Sequence, residues 1–216
     1  MKKAVIFDLD GTLTDSLASI KKSGDLAMKA VGMGPYTEDQ YRYFVGDGAA
    51  VLIERCLEAG GDKEHLHFEK AYEEYKRVFE EYCMYQVTPY EGIRELLVAL
   101  RERGILAAVL SNKPHERTLN VIHTLFGKDC FSVVLGQQDG IARKPSPEGV
   151  FHILKKWGLS AEDILYLGDT GTDMKTGKSA GAYTIGALWG FREQEELLAS
   201  GADVLIEKPQ ELLMYL

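Results

Sequence analysis

Carboxylates, a hydroxyl and a cation stand where the apolar runs of this sequence end. Ala4-Val5-Ile6-Phe7 is followed by Asp8 and Asp10 and then by Gly11. Such a run reads as a buried strand, and the glycine as the sharp turn that ends it. Side chains two positions apart share one face of a strand, so Asp8 and Asp10 can reach the same crevice. A turn needs only one such acid, and two this close repel each other, so the pair points to chemistry. Ser111 and Asn112 follow Val109-Leu110, Asp169 follows Leu165-Tyr166-Leu167-Gly168, and Asp173 comes one helical turn later. Lys144 arrives from the loop Gly140-Ile141-Ala142-Arg143-Lys144-Pro145. Singly, each has a modest role as a helix cap, a dipole partner or a solvated loop cation. Together they supply the oxygen-rich, mixed-charge surroundings that suit Mg²⁺ and a phosphate group.

These groups meet only if their strands run parallel, because a parallel sheet delivers the residue after every strand to one edge. From Pro89 onward, strand and helix signals alternate. Strands are expected at residues 105–110, 131–135, 164–167, 183–187 and 204–206. Helices are expected at 91–103, around 150–157, 173–180, 193–199 and 209–215, and along Leu119, Ile122, Leu125 and Phe126, with Pro114 suited to that helix's first turn. The alternation predicts an α/β fold, a Rossmann-like, doubly wound parallel sheet covered on both faces. The final helix, with Leu212, Leu213, Met214 and Tyr215, is expected to dock on the sheet, and either a monomer or a homodimer suits the chain.

The gap between the first strand and residue 105 is far longer than a crossover needs, so a folded insertion is expected there. Phe68, Ala71, Tyr72, Tyr75, Val78, Phe79 and Tyr82 recur at helical spacing among charged residues. A second helix begins near Ser16 and carries Leu17, Ile20, Ala27 and Val31, and a third covers 49–57 after Gly46-Asp47-Gly48. The expected organisation is an α/β core of residues 1–15 and 88–216 interrupted by an α-helical subdomain of residues 16–87, with hinges at 14–16 and 87–90.

With 216 residues, 45% of them hydrophobic, the chain can bury a sizeable core, and its formal net charge of -8 argues against nucleic acid or an anionic membrane as partner. Its three cysteines, Cys56, Cys83 and Cys130, have no pairing or metal-site spacing and read as small core hydrophobes. The first apolar run stops too soon for a signal peptide, no run approaches a membrane span, and the cytoplasm is the expected location.

Asp8-Leu9-Asp10-Gly11-Thr12, Ser111 after its strand, Lys144-Pro145, and Gly168-Asp169 with Asp173 resemble the four ordered motifs of the haloacid dehalogenase superfamily. The helical insertion is similar to that superfamily's cap. Gly46-Asp47-Gly48, Leu188-Trp189-Gly190-Phe191-Arg192 and Ala202-Asp203 look like its phosphoglycolate phosphatase branch. The resemblance implies a Mg²⁺-dependent phosphatase acting on a small phosphorylated metabolite through an aspartyl-phosphate. It makes Asp8 the nucleophile and Asp10 the acid and base, with Ser111 and Lys144 at the phosphoryl group. It sets the metal on Asp8, the Asp10 carbonyl and Asp169, with Asp173 further out or acting through water, and the substrate at Thr12, Asn112 and the loop Gly46-Asp47-Gly48. Cap residues His65, His67, Arg42, Arg55, Lys21 and Lys22 are candidates for substrate choice, although each reads better as a solvated side chain. Asp10 counts against carbon–halogen chemistry. A mutase of the β-phosphoglucomutase type, a pyrophosphatase and a phospho-accepting signalling module are the competing readings.

Overall fold

The computed structural model describes residues 1–216. The chain divides into two compact units, one made of Met1–Asp15 and Pro89–Leu216, the other of Ser16–Thr88. It leaves the first unit after Asp15 and re-enters it at Pro89.

The larger unit is built on a six-stranded, wholly parallel sheet. Its strands are β1 (Ala4–Phe7), β2 (Leu106–Pro114), β3 (Val133–Gln137), β4 (Ile164–Gly168), β5 (Tyr183–Ala187) and β6 (Val204–Ile206), in the spatial order β3-β2-β1-β4-β5-β6. The order reverses direction at β1, so the central strand stands at the switch point, where the crossovers diverge and a crevice opens. All four residues of β1 and all five of β4 are buried, as expected of strands covered on both faces. One face packs Ala4, Ile6, Ala108, Leu110, Ile164 and Tyr166 against Val150, Ile153 and Leu154 of the Glu148–Trp157 helix. On the other face Phe7 meets Phe131 edge to face at 6.3 Å.

Three expectations are adjusted. Strand β2 runs on to Pro114 instead of ending near Ser111, with an irregularity in its pairing to β3 between Leu110 and Pro114. Pro114 therefore ends the strand in extended conformation, one residue ahead of the His115–Phe126 helix, and is not part of that helix's first turn. The terminal segment Pro209–Tyr215 is a 3-10 helix; it buries Leu212 and stacks Tyr215 on Tyr183.

The smaller unit holds the helices Leu17–Ala30, Glu38–Phe44, Ala49–Ala59 and Phe68–Tyr82. Its centre is Tyr41, fully buried against the gap left by Gly24, where a Cβ would stand 2.4 Å from the Tyr41 hydroxyl. That hydroxyl donates to Asp25 Oδ1 at 3.1 Å. The Glu38–Phe44 helix was not expected; it is short, but Thr37 and Gln40 close a capping box that stabilises its first turn. No helix of the chain is long and apolar enough to cross a membrane.

Candidate active site

Register brings the site together. Phe7 of β1 pairs with Val109 of β2 on one side and Leu167 of β4 on the other. The polar residues that follow, Asp8, Ser111 and Asp169, therefore leave three adjacent strands at one edge. The Asp8 amide still donates to Leu167 O at 2.9 Å, which fixes the nucleophile candidate to the sheet. Gly11 then turns the chain at φ +89. A Cβ there would lie 2.2 Å from Asp169 Oδ2, so the position needs glycine for both conformation and space.

Lys144 is the hub. Its Nζ is 2.7 Å from Asp8 Oδ1 and 2.7 Å from Asp173 Oδ1. The loop carrying it is held by Asn112, whose Oδ1 accepts from the Lys144 amide at 2.9 Å and whose Nδ2 donates to the Lys144 carbonyl at 3.1 Å. The second oxygen of Asp173 accepts from the Thr170 amide at 3.1 Å and its hydroxyl at 2.6 Å, capping the Gly171–Ala180 helix. Asp173 thus anchors both that helix and Lys144.

Asp169 is fully buried. Thr12 Oγ1 donates to its Oδ1 at 2.7 Å, and the Phe191 amide donates to its Oδ2 at 2.9 Å. The same segment reaches back to the first loop, because Trp189 Nε1 donates to Thr12 O at 3.0 Å. Gly190 makes this clasp possible: a Cβ there would stand 2.2 Å from Asp169 Cβ.

The electrostatics record a surplus of negative charge. Burial, then repulsion from Asp173 and Asp169, holds Asp8 well above the usual carboxylate range despite Lys144. Asp169 is pushed up to about 7 by burial and by Asp173, against the two hydrogen bonds it accepts. Burial disfavours the charged Lys144, but Asp173 and Asp8 outweigh it and hold the ammonium well above the ordinary lysine range. Ligand oxygens of Asp8, Asp169 and Asp173 all lie within 4.8 Å of one another. Three buried carboxylates with no softer donor among them, with Asp173 raising the proton affinity of both Asp8 and Asp169, form a donor set that fits a hard divalent cation.

Of the residues singled out from sequence, Asp8, Asp10, Thr12, Ser111, Asn112, Lys144, Asp169 and Asp173 all belong to the larger unit. The hydroxyl of Thr12 serves Asp169 and the side chain of Asn112 serves Lys144, so both side chains support the site from within. Gly46, Asp47 and Gly48 lie in the helical unit, where Asp47 pairs with Arg55, whose guanidinium also donates to the carbonyls of Tyr43 and Phe44. Lys113 escaped the sequence reading: it is buried, and its Nζ donates to Asp10 Oδ1 at 2.7 Å. Running β2 on past Ser111 would have found it, since alternation puts residues 111 and 113 on the same face.

Residues 5–187 match the family model described as haloacid dehalogenase-like hydrolase. Phosphoglycolate phosphatase of Aquifex aeolicus is 31% identical over 215 residues, covering 98% of this chain and 95% of its own. N-acetylmuramic acid 6-phosphate phosphatase of Pseudomonas aeruginosa is 32% identical over 213 residues, covering 98% and 93%. The crystal structure of a protein from Lactobacillus delbrueckii subsp. bulgaricus superimposes with a TM-score of 0.92 at 30% identity, covering 98% of this chain and 97% of that one.

Proposed function

The chain belongs to the haloacid dehalogenase-like hydrolases and is a phosphatase, and from that premise we propose that it hydrolyses a small phosphomonoester of the phosphoglycolate type, with Mg²⁺ as cofactor and Asp8 as covalent phosphate acceptor. The observation that carries the reading is the trio of carboxylates, Asp8, Asp169 and Asp173, clustered at the end of the central strand with Lys144 bridging Asp8 and Asp173.

Asp8, Asp169 and the carbonyl of Asp10 are the groups that would hold the metal, with Asp173, whose oxygens accept from Lys144 and Thr170, further out or acting through water. When bound, Mg²⁺ offsets the negative charge of the carboxylates and of the phosphoryl oxygens. A carboxylate oxygen of Asp8 attacks phosphorus as the bond to the leaving alkoxide breaks. Asp10 gives that alkoxide its proton, then takes one from the water that attacks the phosphoenzyme, and the Asp8–phosphorus bond breaks to release phosphate. The Ser111 hydroxyl accepts from the Lys113 amide at 3.2 Å and keeps its own proton to donate to a phosphoryl oxygen. Lys144 stays against the nucleophile and balances charge there.

The identity of the alcohol is a separate matter, since the two named relatives above carry different substrates in their names. The test is phosphate release with and without Mg²⁺ from phosphoglycolate, N-acetylmuramic acid 6-phosphate, pyrophosphate and β-glucose 1-phosphate. Mg²⁺-dependent release from phosphoglycolate, without isomerisation of the sugar phosphate, is the expected result. Isomerisation would make the chain a mutase, and a stable phosphoenzyme without turnover would make it a signalling module.

A further inference from the structure

We infer that Lys113 is a positioning residue for Asp10, holding one oxygen of its carboxyl group so that the other serves the leaving alkoxide and the hydrolytic water. The inference rests on the acid and base role proposed above for Asp10. Lysine is rarely buried unless it is paired, and the Lys113 side chain is only 3% exposed while that of Asp10 is 18% exposed. The ammonium donates to Asp10 Oδ1 at 2.7 Å.

The backbone of Lys113 is pinned as well. Its amide donates to Ser111 Oγ at 3.2 Å, and its carbonyl accepts from Thr118 Oγ1 at 3.2 Å, in the first turns of the following helix. One residue therefore sets the hydroxyl meant for the phosphoryl group and the carboxyl meant for the leaving group. A lysine that only balanced charge would not need this fixed backbone. With Oδ1 occupied, proton transfer falls to Oδ2. In the first half-reaction the proton leaves Oδ2 for the alkoxide as the phosphorus–oxygen bond breaks, and the carboxylate produced remains clamped by the ammonium. In the second half-reaction the same oxygen receives a proton from water as the new phosphorus–oxygen bond forms, restoring the starting state.

The experiment compares kcat/KM for an alkyl phosphomonoester, whose leaving group needs a proton, with kcat/KM for p-nitrophenyl phosphate, whose phenolate departs without one. Lys113→Met is expected to lower the alkyl value roughly 100-fold and the aryl value less than about 5-fold, in line with the contribution of a positioned general acid. Lys113→Arg, which keeps the cation, is expected to recover part of the alkyl value, and it carries the comparison by itself if Lys113→Met does not fold. Equal losses on both substrates, or no loss on either, would overturn the inference by giving Lys113 a structural role or none. Asp10→Asn is measured alongside. If it too spares the alkyl substrate, the assignment of Asp10 fails; if it shows the selective loss and the Lys113 variants do not, only the role of Lys113 fails.

Discussion

The ammonium of Lys144 bridges Asp8 and Asp173, at 2.7 Å from each, in a pocket where all three side chains are at most 7% exposed. Removing one member of a buried ion pair leaves the others uncompensated. Lys144→Met is expected to abolish turnover and to lower stability by about 3 kcal/mol at pH 8. The loss should shrink at lower pH as the stranded carboxyl groups take up protons. Urea unfolding at the two pH values measures both effects.

Asp8→Asn tests the nucleophile and the charge surplus together. Turnover is expected to fall at least about 1,000-fold, because an amide does not accept a phosphoryl group. Burial and neighbouring acids hold Asp8 well above the usual carboxylate range, so its ionised form is a liability in the metal-free protein. The variant should therefore melt at a higher temperature than the parent at pH 8 without metal. A lower melting temperature would show that the pairing with Lys144 outweighs the repulsion.

Asp169 gives the pH dependence. Its folded-state pKa of about 7 lies above the unfolded value of 3.8, so protonation favours the folded state. In the metal-free protein this contribution is complete below the unfolded value and is lost as pH rises through about 7. Cation binding requires the deprotonated form, so Mg²⁺ affinity should rise over the same interval with release of a proton. Titration calorimetry in two buffers of different ionisation enthalpy counts that proton, and melting curves with and without Mg²⁺ follow the stability.

Thr12→Val removes the hydroxyl that donates to Asp169 Oδ1 and leaves the shape nearly unchanged. If Asp169 holds the metal as proposed, loss of a hydrogen bond that orients it is expected to weaken Mg²⁺ binding roughly 10-fold. Gly190→Ala should weaken it further, because the new Cβ would stand 2.2 Å from Asp169 Cβ and force the clasp apart. Calorimetric Mg²⁺ affinities of the two variants, ranked in that order, are the check.

Asp10→Ala separates the half-reactions. With an activated aryl phosphate the first step needs no proton, while hydrolysis of the phosphoenzyme still needs a base. A burst of one equivalent of phenolate followed by slow turnover is expected, with the phosphoenzyme visible by intact mass. Steady turnover at the parental rate would remove Asp10 from its assigned role.

The α/β fold and the meeting of Asp8, Ser111 and Asp169 were legible because each follows an apolar run of strand character, and register in a parallel sheet does the rest. Lys144 was legible only from the order of the motifs, since nothing in its own loop distinguishes it from a solvated lysine. Lys113 was not, because Pro114 suggested that the strand had already ended and a helix begun. The clasp of Asp169 by Thr12 and the Phe191 amide depends on segments far apart in sequence, and no local pattern announces which oxygen a hydroxyl will find. The Glu38–Phe44 helix carried a readable capping box in Thr37 and Gln40, but its few apolar residues gave too little periodicity to mark it.

The central place of β1 bears on biosynthesis. The strand is made before both of its partners, Leu106–Val109 on one side and Ile164–Leu167 on the other, so its ladders stay open until residue 167 has been made. A nascent chain halted before residue 164 would present one unprotected hydrophobic edge beside Asp8, and such fragments should be the ones that chaperones retain.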